Sequence, residues 1–210
     1  MIDYEVKRIP AKQAKEYIIK NHYSHGCHNG PSPCYGLFDK EGNLIGALAF
    51  ATPCSENVRA SVFGEEYKDS VIELHRLHVL DGTPKNTESY FISRCLKLLK
   101  TDLPRIKAVI SFSDSTQGHK GIVYQATHFY YIGKTGQATF FLDKDGRLRH
   151  PRQCGVNITK EMAKERGWIP VKRFSKNRYL YLIANSKTEM KRLKKLCKYE
   201  LKEDDYSEVN

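Results

Sequence analysis

The sequence predicts an α/β fold: a mixed β-sheet flanked by helices, with a basic extension at its C-terminal end. Two observations carry this prediction. Strongly β-favouring runs such as IKAVISFSD (residues 106–114) alternate along the chain with segments of helical periodicity such as residues 81–100. A chain of 210 residues with 40% hydrophobic and 28% charged residues also has the composition of one globular domain with a sizeable core.

The N-terminal half predicts a helix, a hairpin and a strand. Residues 10–20 place helix formers behind a proline, and residues 34–51 read as two strands joined by a turn. Residues 71–80 alternate between apolar and polar side chains, with an irregularity that indicates a bulge near 75–76. Between the helix and the hairpin lies NHYSHGCHNGPSPC (21–34), a loop with three histidines and two cysteines.

The second half predicts a turn and helix over 81–100, capped at Asn86 or Thr87. The strand at 106–114 comes next and is followed by a helix over 115–129. Further strands are predicted at 130–135, 138–142 and 179–184, and a basic amphipathic helix at 187–202.

Positive charge is concentrated near the C-terminus. Residues 147–202 hold 17 lysines and arginines and 4 acidic residues, whereas residues 1–146 hold 18 basic and 16 acidic residues. This asymmetry indicates a polyanionic partner, nucleic acid first, although a solubilising basic face is the alternative. We predict one domain overall, with a core at 1–146, a basic part at 147–202 that completes the sheet and contacts nucleic acid, and an acidic disordered tail at 203–210.

The sequence predicts a cytoplasmic protein without a membrane partner. No apolar run approaches the roughly 18 residues that span a bilayer, and the N-terminus lacks the features of a secretory signal. The six cysteines are therefore expected to be reduced thiols. The ligand-type residues of the 21–34 loop follow no standard metal-binding spacing: His22, His25, Cys27, His28 and Cys34.

Three motifs occur in order along the chain. They are HYSH…GPSPCYGLFD…LIGALAF, ELHRLHVLDGTPKNTESYFISRCLKLL and ISFSDSTQGHKGIVYQATHFYYIGKT. Together, over roughly residues 1–135, they resemble the bacteriophage Mom family of DNA-modification proteins. The Mom family is similar in fold to the GNAT acyltransferases, so the resemblance implies a GNAT-like catalytic core at 1–146.

The resemblance implies a function as well as a fold. Mom proteins modify adenine at its exocyclic N6 in duplex DNA, giving N6-carbamoylmethyladenine, which protects phage DNA against host restriction endonucleases in the host cell cytoplasm. The implied partner is double-stranded DNA with a flipped adenine. The implied co-substrate is an activated acyl donor, either an acyl-CoA or a glycyl donor such as glycyl-tRNA. The sequence leaves open whether a metal such as iron assists.

The resemblance also assigns catalytic residues. Asp114, at the end of a strand, is expected to accept the N6 proton or to hydrogen-bond the amino group, with a helix cap as the alternative. Tyr124, on the following helix, is expected to protonate the leaving group, with a place in the apolar core as the alternative. Arg76 lies in a central strand and, if buried, needs a partner, for which Asp114 or Glu73 is expected.

Further residues are expected to bind the substrates. His22 and Tyr23 are assigned to stacking or polar contact with the flipped adenine, and His119 and Gln125 to further substrate contacts. His119 is alternatively an ordinary hydrogen-bonding residue. Asn86 and Ser89 are expected to help present backbone N–H groups to a donor phosphate, or only to cap a helix. The aromatic residues predicted to be available for stacking are Tyr23, Tyr35, Phe112, Tyr124, Phe129, Tyr130 and Tyr131.

Two other functions compete with adenine modification. One is a GNAT-like N-acyltransferase that acts on a small amine or a protein, which the basic C-terminal part disfavours. The other is a non-enzymatic nucleic-acid-binding module with a metal knuckle at 22–34. Mass spectrometry of nucleosides from the DNA of expressing cells distinguishes the first alternative from the Mom-like function. Metal analysis of the purified protein tests the second.

Overall fold

The structure, a computed structural model, describes residues 4–113, 121–137, 139–149, 158–172 and 175–201. Its strands are β1 (Glu5–Arg8), β2 (Cys34–Phe38), β3 (Leu44–Ala51), β4 (Val71–Val79), β5 (Ala108–Ser113), β6 (Tyr130–Lys134), β7 (Thr139–Leu142), β8 (Leu148–Arg149), β9 (Ile169–Lys172) and β10 (Asn177–Leu182). Its α-helices are α1 (Ala11–Asn21), α2 (Glu56–Phe63), α3 (Thr87–Asp102), α4 (Ile122–Gln125), α5 (Lys160–Glu165) and α6 (Lys187–Leu196), and a 3₁₀ helix spans Glu65–Ser70.

A seven-stranded mixed sheet forms the centre of the molecule. Its strand order is β1-β2-β3-β4-β5-β10-β6. The pairing of β4 with β5 is parallel, and the other neighbouring strands of this sheet pair antiparallel. The late strand β10 lies between β5 and β6, so a segment near the C-terminus fills a central position beside strands from the first two thirds of the chain.

Strand β4 contains a bulge, as predicted near residues 75–76. Arg76 pairs with Ala49 and Leu74 pairs with Phe50, so His75 is the extra residue. The inserted residue shifts the alternation of the strand, because Leu74, Leu77 and Val79 all pack into one hydrophobic cluster despite their uneven spacing. As a consequence, the side chains of His75 and Arg76 both point away from that cluster and make polar contacts.

Helices cover both faces of the large sheet. On one face, Val109 packs in a cluster with residues of α3, such as Phe91, and of α4. On the other face, Ala108 and Ile110 pack in a cluster with residues of α2 and α6, such as Leu193. Helix α1 covers the β2–β3 part of this second face through a third cluster. Buried apolar side chains of this number are the main source of folding free energy.

The small sheet is inserted between β6 and β10. Its strand order is β8-β7-β9, and together with α5 it encloses a separate small core around Phe141 and Ala163, against which Trp168 packs. Two hydrogen bonds close the base of the insertion: Thr135 N–H donates to the Lys176 carbonyl oxygen at 2.8 Å, and Lys176 N–H donates to Thr135 Oγ1 at 2.9 Å. Since Asn177 pairs with Ser113, the insertion leaves the large sheet at the edge where β5 ends.

Several boundaries differ from the predicted ones. The predicted helix over 115–129 is, in the described residues, the single turn α4, while residues 114–120 lie outside them. The last helix ends at Leu196 because Cys197 adopts an extended backbone, whereas the sequence predicted helix to 202. None of the helices in the described ranges is both long and apolar enough to span a lipid bilayer.

Candidate functional site

Strands β4 and β5 separate at the centre of the sheet. Their parallel pairing ends at Leu74 and Ser111; beyond it, β4 continues to Val79 beside β3, and β5 ends at Ser113. At the point of separation the Leu74 carbonyl oxygen accepts a hydrogen bond from Ser111 Oγ at 3.0 Å. A side chain thus satisfies a backbone group that a neighbouring strand would otherwise pair. The resulting gap is the candidate active site.

Tyr124 borders one side of the gap. Its hydroxyl lies 2.8 Å from Ser111 Oγ. Because a carbonyl oxygen can only accept and Ser111 has one proton, giving that proton to Leu74 leaves Ser111 to accept from Tyr124. The Tyr124 ring stacks on Tyr179, with centroids 4.7 Å apart and planes 27° from parallel. Burial raises the pKa of Tyr124 to about 12, and the charge of Glu73 adds to the rise, so its hydroxyl holds its proton at neutral pH.

Polar side chains of the β4 bulge border the other side. His75 Nδ1 lies 3.3 Å from Glu73 Oε1, and the His75 ring makes an edge contact with His28 at 5.8 Å. The Arg76 guanidinium donates from Nε to the Gly26 carbonyl oxygen at 3.0 Å and from Nη1 to the His75 carbonyl oxygen at 2.7 Å. The expected pairing of Arg76 with Glu73 is therefore wrong, because Glu73 pairs with His75 and Arg76 anchors the 21–34 loop. The alternative partner, Asp114, lies outside the described residues.

The two loop residues singled out from the sequence lie side by side. His22 is buried and Tyr23 is 49% exposed, and their ring centroids are 4.3 Å apart. The Ser24 backbone N–H donates to His22 Nδ1 at 3.1 Å, so Nδ1 is the acceptor nitrogen and Nε2 carries the proton. An edge contact with His78 of β4 supports the His22 ring from below. Tyr23 is thus partly exposed, with the His22 imidazole held against its ring.

The cysteines of the loop are not arranged as metal ligands. Burial raises the pKa of Cys34 to about 12 and that of Cys27 above its ordinary value, so both are protonated thiols at neutral pH. In the ranges that the structure describes, no three His, Cys, Asp or Glu side chains are grouped so as to hold a metal ion. The metal knuckle hypothesised at 22–34 is therefore not supported.

Helix α3 begins beside the end of β4. Asn86 occupies the N-cap position with a left-handed backbone (φ 72°), and its side chain makes no capping hydrogen bond. Thr87 Oγ1 donates to the Pro84 carbonyl oxygen at 2.6 Å, and Ser89 Oγ donates to the Asn86 carbonyl oxygen at 2.9 Å. Among the described residues, no side chain caps the first N–H groups of this 16-residue helix. Such a helix start can bind an anion.

The remaining predicted site residues have different outcomes. Asp114 and His119 lie outside the described residues, and Gln125 is half-buried in the last position of α4. Among the predicted stacking residues, Tyr35 is wrong: it is fully buried and its hydroxyl donates to Asp102 at 2.9 Å. Four of the predicted stacking rings are buried in the hydrophobic core and cannot stack on a base without unfolding it: Tyr35, Tyr124, Phe129 and Tyr131.

The sequence and fold both match known proteins. Residues 3–206 match the Mom protein family. The chain belongs to the Mom protein family. It is 32% identical over 148 residues to the methylcarbamoylase Mom of Escherichia phage Mu, an alignment that covers 70% of this chain and 60% of the phage Mu protein. The matched part of the present chain thus spans less than two thirds of the length of the phage Mu protein.

Solved structures with the same fold are acetyltransferases. Arabidopsis thaliana NAA60, in complex with acetyl-CoA, superposes with a TM-score of 0.53 at 11% identity, over 86% of this chain and 99% of NAA60. The ribosomal-protein-S5-alanine acetyltransferase of Vibrio fischeri superposes with a TM-score of 0.52 at 8% identity, over 88% of this chain and 96% of that enzyme. This chain therefore has the GNAT-like fold that the sequence predicted.

Two features of the site were not predicted from the sequence. The first is the Glu73–His75 pair, although residues two apart on a strand share a face and this spacing was a usable signal. The second is Ser111, which joins Leu74 and Tyr124 at the point where the strands separate. No local signal marks Ser111, because its role depends on where β4 and β5 part.

Proposed function

We propose that this Mom-family protein is a DNA-modification transferase that adds an acyl-type group to N6 of adenine. The observation that carries the proposal is the gap between β4 and β5, with the buried hydroxyl of Tyr124 on one side and the polar β4 bulge on the other. An acyl transfer moves a proton from the nucleophile to the leaving group. A gap with a proton donor on one side and hydrogen-bond acceptors on the other suits such a reaction.

The loop residues suit a flipped base. Adenine N6 is paired inside the duplex, so the enzyme must extrude the base and hold it by stacking and by its Watson–Crick edge. The exposed ring of Tyr23 offers a stacking surface, and His22 supports it at 4.3 Å. Arg76, tied to Gly26, holds this loop against the β4 bulge. We assign His22 and Tyr23 to the base and Arg76 to positioning the loop beside it.

The donor is assigned to the other end of the gap. The uncapped start of α3 at Asn86 and Ser89 offers backbone N–H groups to a phosphate of an acyl-CoA or of an aminoacyl-tRNA. The donor supplies an activated carbonyl carbon. Tyr124 is assigned to protonating the leaving group, and Asp114, Gln125 and His119 keep their predicted contacts with the base and its amino group.

The family's product favours a glycyl donor over an acetyl donor. Acetyl transfer leaves N6–C(=O)–CH3, which lacks the second nitrogen of N6–CH2–C(=O)NH2. Glycyl transfer gives N6–C(=O)–CH2–NH2, which is an isomer of that product. Attack of the free amine on ring C6, with departure of the original nitrogen, converts one into the other without any oxidant or reductant. We therefore propose an activated glycyl group, such as glycyl-tRNA, as the donor.

Helix α6 supplies a cationic surface for the duplex. Its lysines and arginine at 187, 191, 192 and 195 are exposed, while its acid Glu189 pairs inward with Lys107 at 2.8 Å. Leu193 packs this helix over β5 and β10, on the sheet face that also carries α1 and the 21–34 loop. We assign these cations to phosphates that flank the extruded base, because they lie on the sheet face of the loop assigned to that base.

We expect the double variant Lys191→Glu/Lys195→Glu to bind duplex DNA roughly tenfold more weakly than the unaltered protein, because two phosphate contacts are lost. The slope of log K against log salt concentration should also fall by roughly 2. Titration of fluorescent duplex at several salt concentrations measures both quantities. Lys97→Glu/Arg105→Glu is the matched control, since it changes net charge equally at exposed positions on and after α3. Equal losses for both variants would contradict a specific role for α6.

Nucleosides from cells that express the protein test the function itself. Mass spectrometry of digested DNA is expected to show an adenine derivative heavier by one carbamoylmethyl group, absent from cells with an empty vector. Growth on isotopically labelled glycine is expected to place label in that derivative. An unlabelled derivative would exclude the glycyl donor but keep the transferase, whereas unmodified adenine throughout would exclude adenine modification.

A further inference from the structure

The β4 bulge brings a carboxylate and an imidazole to the edge of the gap. His75 Nδ1 and Glu73 Oε1 are 3.3 Å apart, and their side chains are 14% and 16% exposed. The bulge leaves His75 without a paired residue on β3, and bulges are a common way for a protein to aim a side chain at a site. Arg76 makes the hydrogen bond to the 21–34 loop, whereas His75 touches that loop only through the edge contact with His28 among the described residues.

We propose that His75 is the general base for the acceptor amine and that Glu73 is its positioning residue. The inference rests on the proposed transferase function. A carboxylate that accepts the Nδ1 proton of a neutral imidazole fixes the tautomer in which Nε2 carries a lone pair. Nothing in the Mom-family resemblance assigns this pair, since the residues it points to are His22, Tyr23, Arg76, Asp114 and Tyr124.

The proton and electron pairs balance in this arrangement. Adenine N6 forms a bond to the donor's carbonyl carbon, and His75 Nε2 takes the proton that N6 gives up. The bond from that carbon to the donor's leaving oxygen or sulfur then breaks, and Tyr124 Oη gives its proton to the leaving atom. One proton enters at His75 and one leaves at Tyr124, so exchange with water restores the enzyme. Asp114 is then left to hydrogen-bond the amino group.

The groups around the pair are consistent with a base. Those with charge or a titratable proton are Glu73 and Arg76 on the same strand, His28 and Cys27 from the loop, and Tyr23 and Tyr124 at the gap. The neighbouring strands contribute apolar residues, Ile110 opposite Glu73 on β5 and Phe50 next to the bulge on β3. Glu73 is thus the carboxylate that the described residues offer to His75.

Two substitutions test the base directly. In cells, His75→Asn is expected to lower the modified fraction of adenine by about 100-fold or more, the usual contribution of a general base. His128→Asn is the matched control, because His128 is exposed in the turn that follows α4. His75→Gln, a second variant, guards against loss of folding, and the melting temperatures of the purified proteins are compared. A folded His75→Asn or His75→Gln protein that modifies DNA like the unaltered one overturns the proposal.

The positioning role of Glu73 has its own readout. Side-chain ¹⁵N chemical shifts of the purified full chain report which ring nitrogen of His75 is protonated. We expect the Nδ1–H form in the unaltered protein and in Glu73→Gln, which keeps an oxygen acceptor, and a mixture of tautomers in Glu73→Leu. Retention of a single Nδ1–H tautomer in Glu73→Leu overturns the positioning role. If the unaltered protein leaves adenine unmodified, the proposed function has failed, whereas modification that survives loss of His75 refutes this inference alone.

Discussion

Tyr124→Phe is expected to lower the modified fraction of adenine in DNA by about 100-fold, because a general acid contributes on this order. The phenol is well placed for that role. Its pKa of about 12 keeps the proton bound at neutral pH, and Ser111 holds the hydroxyl at the point where β4 and β5 separate. Phenylalanine keeps the stacking on Tyr179 and removes only the proton donor, so the expected loss is in the rate of modification. Nucleoside mass spectrometry of cellular DNA measures it.

The control for this prediction is Tyr181→Phe. Tyr181 is a half-buried tyrosine of β10 that packs against the same hydrophobic cluster but lies outside the gap. Removing its hydroxyl should leave the modified fraction unchanged. Ser111→Ala should have an intermediate effect, since Tyr124 keeps its proton but loses the group that orients it. If Tyr124→Phe modifies DNA as well as Tyr181→Phe does, Tyr124 is a core residue and another group protonates the leaving atom.

Local sequence patterns predicted the strands of the large sheet except β1, and one irregularity. The uneven spacing of Leu74, Leu77 and Val79 indicated a bulge, and the bulge is present with His75 as the extra residue. The periodicity did not show which polar side chains the bulge would bring together. Glu73 or Asp114 was expected to pair with Arg76; Glu73 pairs with His75 instead, Arg76 donates to the backbone carbonyl oxygens of Gly26 and His75, and Asp114 lies outside the described residues.

The sequence did not predict which strands that are distant in the chain pair with each other. Ser111 and Tyr124 meet because β5 ends near the start of α4, and Tyr179 lies under both because β10 inserts between β5 and β6. Such pairing depends on the register of strands far apart in the chain, and local propensity carries no information about it.

Gly121→Ala is expected to lower the free energy of unfolding by roughly 2 to 4 kcal/mol, through backbone strain and overpacking together. Gly121 precedes α4 with φ at +70°, and a Cβ there would collide with the buried ring and hydroxyl of Tyr179. Gly82→Ala is the control, because Gly82 has φ at +84° with open space around it. Chemical denaturation of both variants separates the two contributions, since Gly82→Ala should lose only the strain, about 1 to 2 kcal/mol.

The collision with Tyr179 predicts a non-additive effect on the free energy of unfolding that backbone strain alone does not predict. Tyr179→Ala removes a fully buried ring and should itself cost about 3 to 5 kcal/mol. In the double variant Gly121→Ala/Tyr179→Ala, however, the methyl group enters the space that the ring has left. The two losses should therefore sum to more than the loss in the double variant, by roughly 1 to 3 kcal/mol. Additive losses would mean that Gly121 is needed for its backbone conformation only, and that the Tyr124–Tyr179 stack does not depend on its missing side chain.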